Sequence, residues 1–190
     1  RTDPAIVRGL LRAVDWTDEE IETGFEATWD SYLAALDREL AERDGQVRPL
    51  PGVSDLLEVI EGDERFAPGL VTGNMEGGAQ RKLGAAGLDG RFGFGAYGSD
   101  SEWREDLPPL ARERAQRRYG RLFNMETAVV VGDTPEDIRC ARANGARALV
   151  SLALEVIHIT ILMFNVQPNQ KVGAGNCILD GCAFIKCWCC

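Results

Sequence analysis

Along residues 1–43 the apolar positions recur at helical spacing, which predicts two helices and no strand. Asp3 and Pro4 read as N-cap and first helical residue of a helix carrying Ile6, Val7, Leu10, Leu11 and Val14 on one face. Thr17 and Glu20 have capping-box spacing. Behind them Ile21, Phe25, Thr28, Tyr32, Leu36 and Leu40, with Trp29 and Leu33 alongside, predict a long amphipathic helix to about Arg43. The aromatic stripe reads as packing. Asp44-Gly45 and then Arg48-Pro49-Leu50-Pro51-Gly52 end the helical pattern.

From residue 53 the pattern alternates. Helices are predicted over 53–60, 78–86, 107–119 and 135–144, and strands over 66–71, 92–97, 128–131 and 146–150. Alternation of this kind implies an α/β fold with a parallel sheet and right-handed crossovers. The run Ala128-Val129-Val130-Val131 is apolar throughout, as expected of a strand buried on both faces.

Three strand ends carry the candidate chemistry. Gly132 breaks the third strand and leaves Asp133 at its carboxyl end, with Thr134 as N-cap and Pro135 as first residue of the next helix. Asp137 follows one turn later, so two carboxylates point into the crevice where open α/β sheets bind ligands. Such hard oxygen donors suit Mg²⁺. The alternative reading makes Asp133 a turn residue and Asp137 a first-turn charge favoured by the helix dipole. At the first strand end Thr72 offers a hydroxyl, and Gly73 and Asn74 offer backbone N–H groups to a phosphoryl oxygen. Arg104, after the second strand, is a cation able to offset phosphate or carboxylate charge. Together these form a phosphoryl-transfer set.

At 190 residues and 45% hydrophobic content the chain can bury a full core, as one domain with a small addition. A net charge of -9 and a pI near 4.7 argue against nucleic acid or an anionic membrane as the main partner. No apolar run reaches transmembrane length and no signal peptide is visible. Of six cysteines only Cys140 precedes the last fourteen residues, as in a reduced, cytoplasmic protein. The chain begins with Arg1 rather than Met, as a fragment would.

Leu70-Val71-Thr72-Gly73-Asn74, then Arg104, then Val130-Val131-Gly132-Asp133-Thr134-Pro135-Glu136-Asp137 resemble, in order and spacing, motifs II, III and IV of the haloacid dehalogenase-like (HAD) hydrolases, in their phosphoglycolate phosphatase-like branch. Pro51-Gly52-Val53 is similar to the segment where that family's chain returns from its helical cap. The resemblance implies a Rossmann-like, three-layer parallel-sheet core over 49–150, lacking its first strand, with a partial helical cap over 1–48. It implies a Mg²⁺-dependent phosphatase acting through an aspartyl-phosphate on a small phosphorylated metabolite. Thr72, Gly73, Asn74 and Arg104 would hold the phosphate, Thr72 and Arg104 as catalytic groups, and Asp133 and Asp137 the metal. At the third motif the family often has lysine followed by proline, where this chain has Arg104-Glu105. Lys82 is a second candidate on charge, but its mid-helix place points to solvent.

The family's Asp-x-Asp-Gly-Thr motif, which supplies nucleophile and general acid/base, has no counterpart in the sequence. Leu88-Asp89-Gly90 and Leu179-Asp180-Gly181 match only its end, with Gly87 and Ile178 where the nucleophile belongs. The chain therefore reads as an N-terminally truncated, inactive copy, or alternatively as a non-catalytic binding or scaffold module.

Residues 151–190 change character. All eighteen arginines lie before them, while two of the three lysines and five cysteines lie within them. Residues 157–166 form a β-rich apolar run, and the segment reads as a tail foreign to the domain. Zinc binding by Cys177, Cys182, Cys187, Cys189 and Cys190 is the competing reading, without the usual Cys-x-x-Cys pairs. Gly93-Phe94-Gly95-Ala96-Tyr97-Gly98 fits a dinucleotide fingerprint in spacing, but its glycines interrupt a strand and no helix follows directly. Oligomeric state has no sequence signal.

Overall fold

The structure, a computed structural model, describes residues 1–43, 46–150 and 160–165. Eleven helices and strands organise these residues: α1 (Asp3–Arg12), α2 (Asp18–Glu42), α3 (Val53–Glu61), β1 (Phe66–Val71), α4 (Glu76–Ala85), β2 (Gly95–Ala96), α5 (Leu107–Tyr119), β3 (Val129–Gly132), α6 (Pro135–Ala143), β4 (Arg147–Val150) and β5 (Ile161–Asn165). The sheet order is β2-β1-β5-β3-β4. Both β1–β2 and β3–β4 are parallel pairs, while β5 runs antiparallel between β1 and β3.

The α/β, Rossmann-like layering matches the expectation, but the sheet is mixed rather than wholly parallel. Five residues of the presumed tail form its central strand. Register explains how they fit: Phe66 to Leu70 pair with Asn165 back to Ile161, and Val129 to Val131 pair with Met163 back to Ile161. A strand covered on both faces should read as a continuous apolar run, and Ile161-Leu162-Met163-Phe164 does. Leu162 and Phe164 enter one core layer with Val71, Val130, Leu107, Ala111, Ala115 and Ala141, beneath α5 and α6. Ile161 and Met163 enter the opposite layer with Leu56, Leu57 and Ile60 of α3. The five late cysteines and His158 lie outside the described residues.

Local signals place most boundaries. Thr17 and Glu20 form the capping box at α2, and Thr134 with Asp137 forms another at α6, where Pro135 opens the helix. Thr2 rather than Asp3 caps α1: its Oγ1 accepts from the Ala5 N–H and donates to the Glu102 carbonyl. The second strand shrinks from the expected 92–97 to Gly95 and Ala96.

The helical pair leans on the core at several points. Arg8 pairs with Glu22 and Glu102 and lies over the Phe25 ring, linking α1 to α2 and to the core. The predicted aromatic stripe is a packing surface: Trp29 stacks on Tyr32, and Tyr32, Leu33 and Leu36 lie against Gly77 and Gly78 of α4. Among the described residues no helix is long and apolar enough to cross a membrane.

Candidate functional site

The carboxyl ends of β1 and β3 lie on either side of Thr160, the residue just before β5. Because β5 is antiparallel, its beginning meets the ends of its neighbours, and the Thr160 carbonyl accepts from the Val71 N–H. Thr72 continues the ladder by donating its N–H to the Ala96 carbonyl, and its buried Oγ1 accepts from the Asn74 N–H. The turn is tightly covered. A Cβ on Gly73 would lie 2.7 Å from the Arg1 carbonyl oxygen and 3.0 Å from Arg104 Nη1. A Cβ on Gly98 would meet the Gly73 carbonyl oxygen at 2.2 Å, so glycine there serves close backbone approach rather than dinucleotide binding.

Residues 1–3 sit over this loop. Asp3 donates its N–H to the Gly73 carbonyl, and its carboxylate accepts from Asn74 Nδ2 and from the Met75 N–H at the start of α4. A carboxylate thus sits at the N-terminus of α4, beside the Gly73-Asn74 loop. Lys82, expected to face solvent, turns back to donate to Asn74 Oδ1 at 2.8 Å.

Arg104 joins the strand ends. It opens a short 3₁₀ turn, and its Nη2 donates to Asp137 Oδ1 at 2.7 Å and to Thr160 Oγ1 at 2.8 Å. Thr160 Oγ1 in turn donates to the same Asp137 oxygen at 2.8 Å. The other carboxylate oxygen, Oδ2, accepts from the backbone N–H groups of Asp133 and Thr134 and from Thr134 Oγ1. Asp137 is 2% exposed. Its carboxylate folds back under the strand end because Gly132 has no side chain: a Cβ there would stand 2.4 Å from Asp137 Oδ2.

The electrostatics follow from this geometry. Burial pushes the Asp137 carboxyl up, but the Arg104 charge and hydrogen bonds from Thr134 and Thr160 outweigh it and hold the group below its ordinary range. Cys140, which donates its thiol to the Arg104 carbonyl, is pushed up to about 12 by burial, with a smaller opposing pull from Arg104. Outside this knot a cavity of about 510 Å³ is lined in part by Arg1, Arg12, Trp103, Arg104 and Arg139.

Of the sequence-derived residues, Thr72, Gly73, Asn74, Arg104, Asp133 and Asp137 all fall at one rim of the sheet, with Arg104 bonded to Asp137 and near Gly73. Thr160 was missed. The β-rich run around it was visible, but nothing local placed that run inside the sheet.

Whether Asp133 and Asp137 suit Mg²⁺ is decided by the donors they meet. A carboxylate has about four lone-pair sites, and Asp137 already accepts five hydrogen bonds, one from a guanidinium. Among the described residues no group of three or more His, Cys, Asp or Glu side chains could hold a metal ion. In this arrangement Asp137 does not fit the ion.

A family model described as haloacid dehalogenase-like hydrolase matches residues 5–145, from α1 through α6. The match ends before β4 and β5. No curated protein matches the chain.

Proposed function

The chain belongs to the haloacid dehalogenase-like hydrolase family, and from that premise we propose that its strand-end site is of the phosphatase type, shaped for a small phosphorylated metabolite. We propose further that these 190 residues bind without turning over. In this reading the Thr72 hydroxyl and the Gly73 N–H face the phosphoryl oxygens, the Asn74 N–H holds the Thr72 hydroxyl in place, and Arg104 supplies the positive charge beside them. The observation that carries the reading is the Arg104 guanidinium, within reach of the Gly73 loop on one side and bonded to Asp137 on the other. The expectation of no turnover rests on the aspartyl-phosphate route that the family resemblance implies: that route needs a carboxylate nucleophile, and these 190 residues contain no Asp-x-Asp.

The non-catalytic alternative shares that last point, and the saturated Asp137 favours it for this chain. The Mg²⁺ implied by the family resemblance has no step here, because the carboxylate meant to bind it is committed to Arg104 and Thr160.

The test is hydrolysis of p-nitrophenyl phosphate by the purified chain, with and without Mg²⁺. The expected result is no Mg²⁺-dependent release of nitrophenol. Turnover that needs Mg²⁺ and disappears in Asp137→Asn overturns the proposal.

A further inference from the structure

We propose that Arg104 is the resident cation of this site, and that the chain takes no divalent metal ion on Asp137 while that guanidinium is in place. This rests on the reading of the strand ends as a hydrolase-type site, and it specifies what neutralises that site.

Stereochemistry gives the first argument. Mg²⁺ requires near-octahedral oxygens at about 2.0–2.1 Å. Asp137 Oδ2 is turned inward to three donors from Asp133 and Thr134, which form the helix cap and cannot leave without uncapping α6. Oδ1 is the remaining oxygen, and it is held by Arg104 Nη2 at 2.7 Å and Thr160 Oγ1 at 2.8 Å. An ion on Oδ1 would stand against a guanidinium bonded to the same atom.

Charge gives the second. The Arg104 and Asp137 side chains are 17% and 3% exposed, so salt and water screen their neighbourhood weakly. A divalent ion beside a retained Arg104 is repelled. Expelling Arg104 instead would break a buried pair, which is strongly unfavourable.

The third is anchoring. The turn that carries Arg104 is tied to α6, the helix that carries Asp137: the Cys140 thiol donates to the Arg104 carbonyl at 3.2 Å, and Asn144 Nδ2 donates to the Glu105 carbonyl at 2.8 Å. Cation and carboxylate are therefore held by one rigid unit. Thr160 bonds both partners and fixes the Arg104 head group.

The experiment titrates the purified chain with Mn²⁺ and follows loss of the free-ion EPR signal. No phosphate ester is present, so the outcome is independent of the turnover assay. Wild type and Arg104→Lys, which keeps the charge, are expected to show no site tighter than millimolar. Arg104→Gln is expected to bind one Mn²⁺ per chain at least about tenfold more tightly, as loss of a buried like charge requires. Adding Asp137→Asn to Arg104→Gln should abolish that gain. A wild-type site tighter than millimolar that Asp137→Asn removes overturns the proposal. So does a folded Arg104→Gln chain with unchanged affinity. If circular dichroism shows that Arg104→Gln does not fold, wild type and Arg104→Lys decide by the same criterion.

Discussion

Replacing Phe164 by alanine is the most direct test of the strand that fills the centre of the sheet. Phe164 is fully buried on β5, with its ring centroid 5.0 Å from that of Phe123 and 5.8 Å from that of Phe94. Truncating a core phenylalanine costs about 3–5 kcal/mol through lost transfer energy and the cavity left behind. Two ring contacts, each worth about 0.5–1.5 kcal/mol beyond area, put the expectation at the upper end, about 4–5 kcal/mol. A domain is stable by only about 5–15 kcal/mol, so most of the reserve would go. With a urea slope of about 2 kcal/mol per molar, the midpoint should fall by about 2 M. The assay is urea unfolding followed by circular dichroism. Leu122→Ala serves as control, since Leu122 is 86% exposed and its truncation should stay within about 0.5 kcal/mol. Equal, small shifts for the two variants would refute the placement of Ile161–Asn165 in the core.

Two further substitutions probe the site's scaffold. Gly132→Ala puts a methyl group 2.4 Å from the Asp137 carboxylate and should destabilise by about 1–3 kcal/mol in the same urea assay; an unchanged midpoint would contradict the close approach. Because Asp137 is held below its ordinary range, the folded state binds its proton less readily than the unfolded one. Its stabilisation is therefore complete above about pH 4 and is lost as pH falls through the lower, folded-state value. Asp137→Asn should lose less stability than wild type over that acid interval, and parallel pH curves for the two proteins would count against the ion pair.

What the sequence made legible is what local chemistry controls. Thr17-x-x-Glu20 and Thr134-Pro135 mark helix starts because the groups that satisfy the first N–H donors lie within three residues of them. The β1 and β3 ends were readable because an apolar run stops at Thr72-Gly73 and at Gly132-Asp133. Partner and direction of a strand are not local. Ile161–Asn165 has the composition of a central strand, yet its antiparallel place between β1 and β3 comes from pairing with residues thirty or more positions away. Thr160 inherits that invisibility, since only the reversed direction of β5 carries its hydroxyl to the ends of its neighbours. Asp137 shows the subtler difficulty. Its spacing from Asp133 fits a ligand pair and a helix-cap carboxylate equally well, and the choice is made by Arg104, thirty-three positions away. A carboxylate that both caps α6 and neutralises a buried guanidinium has no lone pair to spare. The same residues that spell a metal site in one dimension thus close it in three.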